Sequence, residues 1–176
     1  GAAVLDSEGL LVAYGRATPP SWVKTAAAAE TWALLLTLRS NVDVPQIRTD
    51  CYGVTLAARA GPAAATSPKR ATARVWREIA ELLDNDFSRL RHRVVWIPAH
   101  TSAQNINDKR KSDGGRFTTA EWRANQLADM LAKIAAPKTQ LREEAVAKIR
   151  VASKALVHAA AQPRVVTHAA KNHRVA

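Results

Sequence analysis

The sequence predicts an α/β layered domain with antiparallel and parallel strands in one sheet, followed by a basic helix. Three observations predict this. Val- and Leu-rich runs of strand length alternate with longer runs at helical spacing, in the order β-β-α-β-α-α-β-α. The first two runs flank the polar turn Ser7-Glu8-Gly9, a hairpin pattern. The length of 176 residues fits one core of ordinary size with an appendage.

The first half of the chain contains two predicted strands in a hairpin, two helices and a third strand. Residues 2–17 form the hairpin, and the Ala- and Leu-rich run from Thr25 to about Ser40 is most simply a largely buried helix. The strand QIRT (46–49) follows. The helix CYGVTLAARA then stops at Gly61-Pro62, and residues 63–69 are expected to be a loop of small residues.

The second half adds a helix, a strand, a loop and a last helix. Apolar residues recur at helical spacing from Arg70 to Phe87, which predicts an amphipathic helix. RHRVVWIP (91–98) is a predicted strand closed by Pro98, and the polar segment 99–117 an irregular loop. A helix starting near Thr118 or Thr119 ends before Pro137. The domain is therefore expected to span 1–136, with a basic amphipathic helix and a frayed tail over 137–176.

Composition and charge restrict the function classes. No uncharged run approaches the roughly 20 residues of a membrane helix, so no transmembrane segment and a soluble protein are expected. Cys51 is the only cysteine, which excludes an internal disulfide and a cysteine-based zinc site. An intracellular location, nuclear or cytoplasmic, fits best. The net charge of +11 favours a polyanionic partner such as nucleic acid, although a merely basic surface is the alternative.

The segment from Lys138 to Ala176 supplies +6 of this charge, with eight Lys or Arg against Glu143 and Glu144. Its apolar residues recur on one stripe of a predicted helix. Such a helix could pack on the domain, bind nucleic acid without sequence preference, or contact a partner or an anionic membrane surface.

Glu30 and Asp50 are carboxylates in unusual positions. Glu30 shares a helical stripe with Ala26, Ala27, Ala33 and Leu34 and has no basic neighbour on it, so a metal or another partner would have to compensate its charge. The alternative is a helix rotated so that Glu30 meets solvent. Asp50 ends a predicted strand and precedes a helix, which suits either a helix cap or a ligand at a strand end.

Asp129 and His100 are weaker candidates on their own. Asp129 shares a helix face with Lys133, so a solvated ion pair at i, i+4 explains it without chemistry. His100 follows the strand that Pro98 closes and is either an ordinary polar loop residue or a proton relay beside a carboxylate cluster.

Four short motifs, taken together and in this order, resemble the type 1 ribonuclease H family, including the ribonuclease H domains of retroelement reverse transcriptases. They are Ala29-Glu30 in the Ala- and Leu-rich helix, Thr49-Asp50 at a strand end, Trp-Ile-Pro-Ala-His-Thr-Ser at 96–102, and Asn-Gln-Leu-Ala-Asp-Met-Leu-Ala-Lys at 125–133. The resemblance covers about residues 1–136. It implies a ribonuclease H-like three-layer α/β/α fold with a mixed sheet.

The resemblance also implies an activity, a cofactor and site residues. The activity is cleavage of the RNA strand of RNA/DNA hybrids with two Mg²⁺ ions, or Mn²⁺ in their place. Glu30, Asp50 and Asp129 match the metal-binding carboxylates, and His100 matches the loop histidine that assists proton transfer or product release. A reverse transcriptase tethered in the full-length protein is a further partner that the resemblance allows.

The chain departs from the family pattern in three places. Gly1 matches a position after the Asp-Gly-Ser strand that carries the family's first metal-binding aspartate, so we expect a missing strand, a gap between the hairpin and the QIRT strand, and impaired activity in this chain. Asp6 lies at the far turn of the hairpin and does not replace that aspartate. Cys51 stands where the family commonly has serine. The loop before Asp129 is longer than usual, and its Lys109, Arg110 and Lys111 are predicted to contact phosphates unless the loop is solvated and disordered.

Two other functions stay open at this point. A catalytically silent nucleic-acid-binding module would keep the fold and the basic surface. A structural interaction domain would act through the C-terminal helix.

Overall fold

The structure is a computed structural model that describes residues 1–106, 108–136, 145, 147–156 and 159. Over the described residues up to 136, its elements in chain order are four strands and six α-helices: β1 Ala2–Leu5, β2 Leu11–Gly15, α1 Ala26–Arg39, β3 Ile47–Thr49, α2 Tyr52–Ala60, α3 Pro62–Ala65, α4 Ala73–Leu82, α5 Ser88–Arg91, β4 Val94–Trp96 and α6 Thr119–Ala135. A short 3-10 turn, Ala103–Asn105, lies between β4 and α6. The mixed α/β class predicted from the sequence is confirmed.

The hairpin of β1 and β2 is antiparallel and pairs Ala2 with Gly15. Asp6 closes its turn, because one carboxylate oxygen accepts the backbone N–H groups of Glu8 and Leu10 at 2.9 and 2.8 Å. Gly9 supplies the left-handed backbone of the turn with φ of 84°. Asp6 is therefore a turn residue, as the sequence indicated.

Strands β3 and β4 pair in parallel, with Ile47 opposite Val94 and Thr49 opposite Trp96. Among the described residues the hairpin and this parallel pair form two separate two-stranded sheets. The prediction of one mixed sheet is wrong in that respect. The expected interruption between the hairpin and the QIRT strand is present in the part of the chain that the structure describes, because none of its strands pairs with both β1 and β3.

The main core lies between α1, α2, α4 and β4. Its fully buried side chains include Leu35, Trp76, Ile79, Leu90 and Val94. Helix α1 is buried along much of its length, as its Ala- and Leu-rich composition predicts, and Thr25 caps it by accepting the N–H of Ala28 at 3.1 Å. The parallel strands β3 and β4 therefore pack against these three helices.

Two helix boundaries differ from the prediction. Residues 62–65 form α3 instead of a loop, because Pro62 occupies the first helical position, where its missing N–H costs nothing. The helix predicted to reach Phe87 ends at Leu82. Asp84 and Asn85 have φ of 51° and 61°, and the N–H of Asn85 donates to the carbonyl of Ala80 at 2.8 Å. This left-handed turn ends α4 and starts α5.

The segment between β4 and α6 is ordered by a small second core. Ile97, Ile106 and Phe117 are almost fully buried and pack together, with Trp122 against them. The Trp122 indole N–H also donates to the carbonyl of Thr101 at 2.8 Å. The described part of this loop is thus not the solvated, disordered segment that the sequence left as an alternative.

Replacing Phe117 with alanine should lower the free energy of unfolding by about 3 to 4 kcal/mol, the usual cost of deleting a buried aromatic ring. Urea denaturation measures this. Leu10→Ala is a control, because that side chain is 61% exposed and its loss should cost under about 0.5 kcal/mol. An equal, small effect of both changes would contradict a second core.

The contact pattern divides the chain into Gly1–Lys138 and Thr139–Ala176. In the second unit, residues 147–156 are helical and exposed, including Ile149 and Leu156 of the predicted stripe. The rest of the predicted basic helix and the tail lie mostly outside the described residues. In the described part of the chain, no helix combines the length and apolar character needed to cross a membrane.

Candidate functional site

Asp50 occupies the connection between β3 and α2 without capping the helix. The N-cap residue is Cys51, which makes no side-chain capping bond, and the N–H of Cys51 is accepted at 3.1 Å by the hydroxyl of Thr49. The backbone carbonyl of Asp50 accepts the indole N–H of Trp96 at 3.1 Å. The capping alternative is therefore wrong. The Asp50 carboxylate has no hydrogen-bond or ion-pair partner among the described residues.

Glu30 lies in the first half of α1 and is partly buried, so the alternative of a solvent-facing Glu30 does not hold. Burial is the largest cause that raises the pKa of its carboxyl, and the negative charges of Asp50 and Asp129 raise it further. The amino group of Gly1 acts in the opposite direction. These mutual influences place carboxylates from α1, the end of β3 and α6 in one neighbourhood.

Asp129 lies in α6, the helix that packs against the hairpin. Gly1, at the start of β1, packs directly on the α6 backbone between Ala128 and Ala132, where an added Cβ would lie 2.8 Å from the Leu131 Cβ. The predicted ion pair of Asp129 with Lys133 is not found among the described residues. The alternative that Asp129 only forms a solvated ion pair with Lys133 is thus not observed.

His100 lies on the turn that follows β4. The backbone of His100 is left-handed, with φ of 50°, and the residue is exposed to solvent. The neighbouring residue Thr101 is held to α6 through Trp122, two turns before Asp129. His100 is therefore anchored beside α6, but the structure gives no direct contact between its ring and any of the three carboxylates.

A cluster around Glu121, which the sequence interpretation missed, ties the site's elements together. One Glu121 carboxylate oxygen accepts the Arg48 Nε at 3.0 Å and the Lys111 Nζ at 2.7 Å. Glu121 also forms a capping box with Thr118 at the start of α6. The cluster thereby joins β3, the loop and α6. The spacing Thr118-x-x-Glu121 was readable as a capping box, but nothing in the sequence identified the two cations.

The three basic residues predicted to contact phosphates differ in their surroundings. Lys111 is engaged by Glu121, and only 10% of its side chain is exposed. Lys109 and Arg110 are exposed, and Arg110 donates to the carbonyl of Gly114 at 3.3 Å. Lys109 and Arg110 are thus available to a polyanion, whereas Lys111 would first have to leave its ion pair.

The chemistry of the three carboxylates fits a divalent cation. Carboxylate oxygens are the ligands that Mg²⁺ prefers, and the carboxylates of Glu30 and Asp50 have no hydrogen-bonding partner among the described residues that would compete. As the side chains stand in the described residues, no three Asp, Glu, His or Cys groups are already gathered around one point at ligand spacing. Ligation would therefore require Glu30, Asp50 and Asp129 to rotate towards a shared ion.

Comparison of the chain with protein-family models, curated proteins and solved structures finds no match.

Proposed function

We propose that the chain is a nuclease domain of the ribonuclease H kind, which cleaves the RNA strand of RNA/DNA hybrids. The observation that carries the proposal is the grouping of Glu30, Asp50 and Asp129. Three carboxylates from distant parts of the sequence lie close enough for two of them to raise the pKa of the third. Such an arrangement costs stability unless a cation or a proton relieves it, so it supports a functional site.

In this proposal Glu30, Asp50 and Asp129 hold Mg²⁺. The bound metal would activate water and stabilise the leaving oxygen of the scissile phosphate. Helix α1 and the β3 end fix Glu30 and Asp50 relative to each other, since both pack in the same core. His100, exposed on its turn, would exchange protons with solvent near the leaving group.

The net charge supports a nucleic-acid substrate. Phosphate backbones attract cationic proteins by releasing condensed counterions, and the chain carries +11. A protein distinguishes an RNA/DNA hybrid from duplex DNA through the 2′-hydroxyl groups and the groove shape of the hybrid. The proposed substrate class therefore matches both the charge and the carboxylate grouping.

Asp50→Asn should lower cleavage of a labelled RNA/DNA hybrid at least 100-fold in Mg²⁺ or Mn²⁺. The amide keeps the size of the side chain but removes the anionic ligand. Rates are measured with hybrid in excess and the products resolved on a denaturing gel. Asp84→Asn is the matched control, because Asp84 is exposed on the turn after α4, where asparagine tolerates the same left-handed backbone, and this variant should cut at the unchanged rate.

Equal cleavage by the Asp50→Asn and unaltered proteins would refute the assignment of Asp50. A second candidate is a catalytically silent nucleic-acid-binding module, which the +11 charge favours by itself. Binding of the hybrid without cleavage in both cations, together with a melting temperature that Mg²⁺ does not raise, would select this module. Cleavage abolished by Asp50→Asn and retained by Asp84→Asn would select the nuclease.

A further inference from the structure

Three exposed arginines lie at a corner of the domain just before β4, at the opposite end of that strand from the 96–102 motif. They are Arg89, Arg91 and Arg93, which flank the fully buried Leu90 at the end of α5 and the start of β4. The corner is fixed by backbone bonds. The N–H of Arg93 donates to Leu90 at 3.0 Å, and the carbonyl of Arg93 accepts the N–H of Ile47 at 2.8 Å.

The positive charge of this corner is not neutralised. In the described part of the chain, acidic side chains pair with Arg39, Arg48 and Lys111, and none pairs with Arg89, Arg91 or Arg93. The nearby Asp86 accepts the N–H and hydroxyl of Ser88 instead. Three exposed guanidinium groups within five residues therefore have no hydrogen-bond or ion-pair partner in the described ranges of the chain.

Two of these arginines border an open cleft of about 700 Å³. Arg89 and Arg93 lie on one side, and residues 41–45, which precede β3, lie on the other. Asp43 is the acidic residue of the lining, so the guanidinium groups outnumber the carboxylate. A guanidinium group binds phosphate through two parallel hydrogen bonds, which a lysine cannot reproduce. An open, cationic, concave surface suits a phosphodiester backbone.

The cleft and the carboxylates lie at opposite ends of the parallel strand pair. Residues 41–45 and 89–93 lead into the amino ends of β3 and β4, whereas Asp50 follows the carboxyl end of β3. We propose that Arg89, Arg91 and Arg93 form a second nucleic-acid-binding surface, which holds the phosphate backbone outside the carboxylate site. This surface does not depend on the chain being a nuclease, because its residues take no part in the proposed metal site.

The experiment compares two triple variants of the full chain that lose the same charge. Arg89→Gln/Arg91→Gln/Arg93→Gln alters the surface, and Arg16→Gln/Lys24→Gln/Arg70→Gln removes three exposed basic side chains that have no side-chain partners among the described residues. Binding of a labelled RNA/DNA hybrid and a labelled DNA duplex is measured by fluorescence anisotropy across a salt series without divalent cations. Circular dichroism establishes that both variants are folded.

We expect the first variant to bind both duplexes at least tenfold more weakly than the second. Its slope of the logarithm of the binding constant against the logarithm of the salt concentration should be smaller in magnitude than that of the unaltered protein by about 2 to 3, one for each lost phosphate contact. Replacing the same three arginines by lysine should restore the slope but only part of the affinity. Equal losses in both triple variants would overturn the proposal. So would an unchanged affinity for nucleic acid together with lost binding to phosphatidylserine vesicles, which would identify a membrane surface.

Discussion

Glu121→Ala should lower the free energy of unfolding by about 3 kcal/mol. The change leaves Arg48 and Lys111 with uncompensated, partly buried charges and also removes half of the capping box of α6. Glu121→Gln keeps the size of the side chain and its bond to the Thr118 N–H, so it should cost less. Urea denaturation at pH 7 measures both.

The matched control is Glu78→Ala, which breaks the ion pair with Arg39 at 2.9 Å. Because 49% of the Arg39 side chain is exposed, solvent screens that pair, and its loss should cost under about 1 kcal/mol. A cost of Glu121→Ala no larger than that of Glu78→Ala would show that the Glu121 cluster contributes no more than a surface pair.

The stabilisation by Glu121 should depend on pH with a definite sign. Burial by itself would raise the pKa of this carboxyl, but hydrogen bonds from Lys111, the Thr118 N–H and Arg48 together lower it below its ordinary value of 4.5. A lowered pKa means that the stabilisation is complete above pH 4.5 and is lost as the pH falls through the folded-state pKa. The difference between the unaltered protein and Glu121→Gln should therefore shrink in acid.

Glu30→Gln should have the opposite effect and stabilise the metal-free protein at pH 7 by about 1 kcal/mol. Burial and the charges of Asp50 and Asp129 raise the pKa of Glu30, so the ionised carboxylate destabilises the folded state. With a raised pKa, this cost is absent below pH 4.5 and appears as the pH rises through the folded-state pKa. Thermal unfolding in EDTA, followed from acid to neutral pH, measures it.

The same variant tests the proposed cation. Mg²⁺ should raise the melting temperature of the unaltered protein more than that of Glu30→Gln, because ligand binding stabilises only the form that binds it. Glu81→Gln is the control, since Glu81 is exposed and its carboxylate has no partner among the described residues. If Glu30→Gln behaves like Glu81→Gln at every pH and in Mg²⁺, Glu30 does not belong to a carboxylate cluster.

Local sequence patterns predicted most of the elements but not all of their ends. The hairpin, α1, β3, α2, β4 and α6 follow from turn residues, from Ala- and Leu-rich composition and from apolar spacing. The end of α4 did not follow, because Asp and Asn occur both inside helices and in left-handed turns, so their presence at 84 and 85 does not by itself predict the left-handed backbone that ends the helix. Met130 and Ile134 have core spacing in α6 yet are 53% and 48% exposed, because spacing identifies a face but not what covers it.

The sequence by itself determined which carboxylates are unusual. It identified Glu30 as an acid without a basic neighbour on its helix, and it identified Asp50 as an acid at a strand end. Only the tertiary structure decided between their alternatives. Asp50 does not cap α2, because the N-cap residue is Cys51 and α2 has no side-chain capping bond. The effect of Asp50 and Asp129 on Glu30, and the Arg48–Glu121–Lys111 cluster, join residues far apart in the chain. Electrostatic interactions depend on distance in space, which local sequence spacing does not fix.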